Sequence, residues 1–441
     1  MADLLRVAPE NIFRMIIFRR ARIPLALTNL DSAVDSVDPA VLCDVVVADD
    51  RIERVAVAGE IGAQPGVAEI DLGGVIVFPG LVDAHVHLDK AHTWDRAPNR
   101  TATFMGALTT LGADSANWTA ADLERRAEYS LRCAYAHGTS VVRTHLDTGS
   151  LVKAETSHNV MAMLRQRWAG RIELQTVPLC GIADFSSGAG AKIAELSVRT
   201  GASAIGGFAF MSSDLPGQLD RQLATAREHG LGLDLHVDET GNPQSEILRF
   251  IAEAVLRSEF PNPVVCGHCC SLSVQSPERQ RATIDLVKAA GLKVISLPMC
   301  NLYLQDRRPA GAFPRSPSWR GLAPLQDLLD AGVPVACASD NVRDAFFAFG
   351  DFDLLEVYAQ SVRLAHLDER LGDSVRVVAS TAAEIVGLPT YGRVVAGAPA
   401  RLVVTEARTF NELLSRPTGP RQRIDGETLH RPVRPDYREL N

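Results

Sequence analysis

The spacing of apolar and polar positions divides the chain into stretches of different period. Over residues 12–72 the apolar runs are short, at 15–18, 45–48, 52–57 and 68–72. Asp49-Asp50 and Gln64-Pro65-Gly66 punctuate them, so this stretch predicts a small antiparallel sheet with a hairpin at Asp49-Asp50-Arg51-Ile52. From Val75 onward the pattern changes. Apolar runs over 75–87, 140–147, 172–179, 203–210, 231–239, 264–270, 293–300 and 333–340 predict eight buried strands. Amphipathic stretches over 120–136, 157–168, 219–229, 243–257 and 278–290 predict helices between them. Thr119 with Asp122 reads as an N-cap and acidic first turn, and Gly138, Gly170, Gly230 and Gly291 close helices ahead of the next strand. Eight β-α units predict a (β/α)8 TIM barrel. A doubly wound open sheet is the runner-up, but no glycine-rich phosphate loop follows an early strand. Residues 392–404 read as a turn and a strand returning to the N-terminal sheet, and the Pro- and Arg-rich tail over 416–441 reads as loosely ordered.

Composition narrows the function classes. At 441 residues the chain is long enough for one large domain and an appendage, and 46% hydrophobic with 22% charged residues suits a soluble globular enzyme. A net charge of -8 gives no basic face for nucleic acid, and no apolar run reaches the length of a membrane span. The opening residues carry no signal-peptide pattern. The cysteines at 43, 133, 180, 266, 269, 270, 300 and 337 are expected to be free thiols in a reducing cytoplasm. Cys266 and Cys269 have C-x-x-C spacing, but no second pair completes a structural zinc site.

The chemistry gathers at strand ends. His85 and His87 sit two apart, so an extended backbone points both imidazoles to one face. The fifth predicted strand ends in His236-Val237-Asp238-Glu239, the sixth carries His268 and the eighth ends at Asp340. Barrel enzymes collect their catalytic groups at these C-terminal ends. His85, His87, His236 and Asp340 make a credible site for one divalent ion with room for a water, whose pKa the ion would lower toward neutrality. Glu239 is placed to shuttle a proton to a leaving nitrogen, and His268 to polarise the group under attack. Each has an ordinary structural explanation alone; together they require four coincidences at one end of the barrel.

The segments Pro79-Gly80-Leu81-Val82-Asp83-Ala84-His85-Val86-His87-Leu88-Asp89, Arg143-Thr144-His145-Leu146-Asp147, His236-Val237-Asp238-Glu239, Gly267-His268 and Ser339-Asp340-Asn341-Val342-Arg343-Asp344 resemble the amidohydrolase superfamily, and within it the cytosine deaminase branch. The resemblance implies a barrel over 75–388 and a small β-sandwich from both chain ends, 1–74 and 389–441. It implies one Zn2+ or Fe2+ held by His85, His87, His236 and Asp340. Glu239 becomes the proton shuttle, His268 orients the hydrolytic water, and Asp340 also accepts that water's proton. His145, Asn341 and Phe346 are expected to face the substrate, and a homo-oligomer is expected. Two-metal members bridge their ions with a lysine on the fourth strand; residues 202–210 contain none, which points to one metal. The H-x-E and P-C-x-x-C motifs of nucleoside-type zinc deaminases are absent.

Departures bear on the substrate. Cytosine deaminases carry a base-gripping glutamine where this chain reads Pro178-Leu179-Cys180-Gly181, an aspartate at Asn341 and a tryptophan at Phe346. The altered set points to another ring. The triazine N-alkylamine hydrolase of the branch lacks the glutamate that stands here as Glu239. The expected reaction is therefore hydrolytic deamination of an amino-substituted nitrogen heterocycle (an aminopyrimidine, pterin or triazine), a metal-activated water attacking the amino-bearing carbon and releasing ammonia. Cleavage of a cyclic amide or ring N-alkylamine is the alternative, and a catalytically silent binding barrel a third.

Overall fold

The computed structural model describes residues 15–307, 313 and 315–440. Strands β1 (Met15–Pro24), β2 (Ala40–Ala48), β3 (Arg51–Val57) and β4 (Ala68–Asp71) form a sheet in the order β3-β2-β1-β4. The hairpin between β2 and β3 turns at Asp49, whose φ is +55°. The sheet is not wholly antiparallel as expected: residues 58–67 carry the chain back across it, so β4 runs parallel to β1.

The run over 75–87 is two strands rather than one. β5 (Val77–Pro79) and β6 (Leu81–Val86) belong to different sheets. The break falls at Gly80, where a Cβ would sit 2.0 Å from Ser140 Oγ, so only glycine lets the chain pass between sheets this closely. β6, β7 (Thr139–Asp147) and β8 (Glu173–Leu179) form one parallel sheet. β9 (Ala204–Phe208), β10 (Gly232–Val237), β11 (Val264–His268), β12 (Lys293–Ser296) and β13 (Val335–Cys337) form another. Parallel bridges Gly181↔Phe208 and Val86↔Asp340 join the edges of the two sheets. Residues 293–300 are not all strand, because Pro298 opens a helix, Pro298–Leu304, from its first turn.

Helices cover the outer faces of these sheets. Ala120–Ala136 begins at its predicted cap, Thr119 Oγ1 accepting from the Asp122 amide at 3.2 Å. The glycines at 138, 170, 230 and 291 all have positive φ, as helix closure requires. Between the two parallel sheets, Arg143 on β7 is satisfied by Asp234 Oδ2 on β10 at 3.0 Å, Gln175 Oε1 on β8 at 2.8 Å and the Val386 carbonyl at 2.9 Å.

Beyond the helices β14 (Arg401–Val404), β15 (Gln422–Asp425) and β16 (Thr428–His430) join β5 in a sheet ordered β16-β15-β14-β5. Its side chains share a core with those of β1 and β2, Phe18 and Val45 packing in one cluster with Leu402 and Ile424. The tail is anchored rather than loose. Tyr437 donates to Asp351 Oδ1 at 3.0 Å, Arg343 stacks over the Tyr437 ring at 4.4 Å, and Arg132 reaches Glu439. Its prolines are held by these side chains, which composition alone does not register. Among the described residues no helix is long and apolar enough to cross a membrane.

Candidate metal centre and active site

β6 ends at Val86, so His85 and His87 straddle its last residue and turn to one point. His236 Nε2 lies 3.1 Å from His85 Nε2 and 3.2 Å from His87 Nε2. Asp340 Oδ1 stands 3.3 Å from His87 Nε2 and 3.7 Å from His85 Nε2. Two ligand atoms at ordinary zinc or iron distances, ~2.1 Å from one ion, are themselves roughly 3.0–3.5 Å apart. Three of the four separations fall in this range and the fourth, His85 to Asp340, is slightly longer, so the set would suit such a polyhedron. Burial, and then the neighbouring imidazoles, hold His85 well below the ordinary histidine range; burial and the other rings do the same to His236. The rings are therefore neutral and have lone pairs to give. Both oxygens of Asp340 are buried without a hydrogen-bond partner, and burial pushes this carboxyl up to about 7. A carboxyl buried among neutral imidazoles, with only the Cys300 thiol and the charge of Lys90 acting to lower it, is what a cation would complete.

Backbone bonds fix this arrangement. The Asp340 amide donates to the His85 carbonyl at 2.9 Å, so the chain after β13 is docked on the histidine strand. Ser339 donates its amide to Asp83 Oδ1 at 3.0 Å. In register, His236 faces Gly267 and Val237 faces His268, which sets the two imidazoles side by side. A Cβ at Gly267 would lie 3.1 Å from His85 Cε1, so the glycine admits the metal-side ring. Asp238, His268 and Asp340 all have φ between +51° and +67°. Left-handed backbone at non-glycine residues costs about 1–3 kcal/mol each and persists where surrounding bonds over-determine it.

Asp238 explains where Glu239 points. Its Oδ1 accepts from Ser245 Oγ at 2.6 Å and the Ile247 amide at 3.1 Å, and its Oδ2 from the Leu248 amide at 3.0 Å. It thereby anchors the start of helix Ile247–Ser258 and is spent. Glu239 is left to face the cavity, its Oε1 3.6 Å from His268 Nδ1 and 3.4 Å from Asn301 Nδ2. Asn301 donates from the same nitrogen to His268 Nδ1 at 3.0 Å, which leaves His268 Nε2 free. Burial, with Asp340 adding to it, raises Glu239 well above the carboxylate range. This carboxyl therefore holds its proton more tightly than an exposed glutamate.

These groups floor a cavity of about 580 Å3 whose walls include His87, His236, Glu239, His268, Asn341 and Phe346. His145 does not line it. That ring is fully buried behind the cluster, its centroid 4.0 Å from that of His85 and its Nε2 3.6 Å from Asp234 Oδ1. Asn341 does face the cavity, although its Nδ2 is held by Asp344 at 2.6 Å. The cavity size is that of pockets for medium-sized organic ligands.

Comparison with known proteins agrees with this geometry. Residues 205–424 match the pattern of the Amidohydrolase family. The chain is 43% identical over 439 residues, 99% of its length and 98% of the relative's, to a pterin deaminase of Rhizobium rhizogenes (strain K84 / ATCC BAA-868). The chain belongs to the amidohydrolase family. It is also 25% identical, over 82% of this chain and 86% of the other, to N-isopropylammelide isopropyl amidohydrolase of Pseudomonas sp. (strain ADP). Among solved structures, 5-methylcytosine deaminase from Klebsiella pneumoniae liganded with 5-fluorocytosine shares its fold, with TM-score 0.80, 23% identity, 97% of this chain and 100% of that chain.

This amidohydrolase is thus a hydrolase of C–N bonds. It has site residues that its sequence did not advertise. Asn301 bridges Glu239 and His268, yet it lies just past the strand expected over 293–300, on the helix Pro298–Leu304. Phe208 and Phe210 form part of the cavity mouth and are partly exposed. Lys90, three residues past His87, lines the cavity at 4% exposure. All eight cysteines are buried and free, Cys266 and Cys269 among them.

Proposed function

We propose that the protein hydrolytically deaminates a fused amino-oxo heterocycle of the pterin class, using one divalent ion, Zn2+ or Fe2+. The 43% identity to a pterin deaminase across nearly the whole chain supports the ring class. The observation that carries the reaction type is Glu239, a raised carboxyl beside His268 and the metal-binding cluster. His85, His87, His236 and Asp340 would hold the ion. When bound, it would lower the pKa of a water to near neutrality and so supply a nucleophile.

The chain's own groups do the remaining work. Asp340 takes a proton from the attacking water. Glu239 gives its proton to the ring nitrogen beside the amino-bearing carbon, takes up the remaining proton of the added hydroxyl and passes it to the departing amine, so the products are ammonia and the oxo ring, and Asp340 then returns its proton to Glu239. His268, fixed by Asn301 at Nδ1, directs Nε2 at the oxygen under transfer. Asn341 and Phe346 line the substrate's side of the cavity. The edge bridges and the shared core of the two small sheets support a closed (β/α)8 barrel over 75–388 and a β-sandwich from the chain ends, with β5 passing between them. Eight free thiols suit a reducing cytoplasm.

The test is metal analysis of purified protein followed by ammonia release across pterins, aminopyrimidines and aminotriazines. About one equivalent of Zn or Fe with ammonia from a pterin is the expected result. Release of an alkylamine from an N-alkylated triazine instead would move the activity to that of the 25% relative. Protein without bound metal would refute the centre.

A further inference from the structure

Lys90 is a buried cation whose ammonium has no hydrogen-bond acceptor among the described residues, although the carboxyls of Asp89, Glu239, Asp340 and Asp344 lie within its electrostatic reach. The residue is 4% exposed, and among the described residues its ammonium makes no hydrogen bond or ion pair. Its one ring contact is Phe346, whose centroid lies 5.2 Å from Nζ. Among the described residues that line the cavity it is the only lysine or arginine. An ammonium carries three donors and no acceptor, and burying it unpaired is costly.

Its backbone is held from several directions, so the position is built rather than incidental. Arg126 donates to the Asp89 carbonyl at 2.6 Å and the Ala91 carbonyl at 2.9 Å. Thr93 Oγ1 donates to the Lys90 carbonyl at 2.8 Å. The Asp89 carboxylate accepts from the Asp147 amide at 2.6 Å. The segment after His87 is therefore clamped by a helix and by β7, and Lys90 lines the cavity.

We infer that Lys90 is the residue that recognises the substrate's oxygen: its ammonium donates to an oxo group carried on the ring, while Phe346 packs against the same ring. This rests on the heterocycle reading above and narrows it. An amino-oxo ring holds its amino-bearing carbon and its carbonyl one ring atom apart. With the amino group over Glu239 and the cluster, a carbonyl on the flank beside His87 falls to the lysine. Rings lacking that oxygen would leave the ammonium unpaired and are rejected for that reason. No bond is made or broken by Lys90.

The experiment compares wild type, Lys90→Met and Lys90→Arg as metal-loaded full-length proteins. Each is given pterin, the same ring without its oxo group (2-aminopteridine), and pterin bearing a 6-carboxylate. Ammonia release and calorimetric binding are both read, with metal content and Tm as controls. Lys90→Met should lose about 10- to 150-fold in affinity and kcat/KM for pterin, the range of a hydrogen bond to a charged group. It should lose little further on 2-aminopteridine, and Lys90→Arg should recover part of the loss. Equal losses on both rings, with metal content and Tm held, would overturn the oxygen contact. So would a loss confined to the 6-carboxylated ring, which would make Lys90 a side-chain anchor. Ammonia released from pterin by Lys90→Met at the wild-type rate refutes Lys90 and keeps the deaminase. Lys90-dependent binding of the oxo ring without ammonia keeps Lys90 and refutes deamination. Neither binding nor release refutes both.

Discussion

Glu239 is useful because Asp238 is not. One carboxylate is consumed in anchoring a helix, and its neighbour, freed from that duty, meets His268 and Asn301 above the cluster. Glu239→Gln preserves shape and the Asn301 contact while removing the proton. We expect kcat/KM for deamination to fall about 100- to 10,000-fold, with metal content unchanged. A variant as active as wild type would show that the proton travels by another route. A different residue governs acid stability. His158 is 1% exposed on helix Leu151–Trp168, its Nδ1 3.0 Å from Thr200 Oγ1 and its Nε2 without a partner. Burial, with Arg165 adding to it, lowers its pKa from 6.5 to about 4. The unfolded chain therefore takes up this proton more readily. The stability this neutral ring contributes is complete above pH 6.5 and is lost as pH falls toward 4. Between about pH 7 and pH 4.5 the loss from this group is about 2–3 kcal/mol. Urea midpoints at the two pH values should converge for His158→Gln relative to wild type. An identical pH slope in both proteins would remove His158 from the account.

At the scale of elements, the two parts of the chain are pinned by a buried arginine. Arg423 on β15 is fully buried and donates to the Tyr135 carbonyl at 3.1 Å, the Thr139 carbonyl at 3.2 Å and Asp425 Oδ1 at 3.0 Å. It joins the terminal sheet to the end of helix Ala120–Ala136 and the start of β7. Arg423→Met keeps much of the stem but strands these acceptors, and should cost about 3–5 kcal/mol in urea unfolding. A change under about 1 kcal/mol would mean that water replaces the guanidinium. Such long-range pins are what a one-dimensional pattern conceals. The buried strands were legible because each is a short apolar run entered from a glycine or proline, and helix Ala120–Ala136 because its cap and period agree. The Pro79-Gly80 break between two apolar runs was visible, but their belonging to different sheets was not, since Val77–Pro79 and Leu81–Val86 are equally apolar and only Ser140 beneath the glycine tells them apart. His85, His87, His236 and Asp340 could be read from their places at strand ends. Lys90 could not, because a lysine after an aspartate reads as a solvated charge until Arg126 folds over the segment. His145 was legible as part of a motif, but its depth behind His85 is a tertiary fact.

For the whole molecule, the cluster is also a cross-link. His85 lies on β6 and His87 just past its end, His236 comes from β10 on the other parallel sheet, and Asp340 from the segment that bridges back to Val86. Without an ion, facing Nε2 atoms 3.1–3.2 Å apart and a buried carboxyl meet between the two parallel sheets. An ion bound to the folded chain alone stabilises it by RT ln(1 + [L]/Kd), about 4 kcal/mol at a thousandfold excess over Kd. Chelation should therefore lower Tm by several degrees, and added Zn2+ or Fe2+ should restore it. Loss of ammonia release on chelation would not separate this from a purely chemical role, so the thermal readout is the informative one. Asp340→Asn supplies the control: it removes the anionic ligand and lets the amide sit among neutral rings. Its Tm should respond far less to chelator than that of wild type, while its metal-free Tm should equal or exceed that of metal-free wild type, because a buried carboxyl raised to about 7 is gone. If metal-free Asp340→Asn is instead markedly less stable than metal-free wild type, the carboxylate has a protein partner of its own, and the case for a cation as its counter-charge collapses.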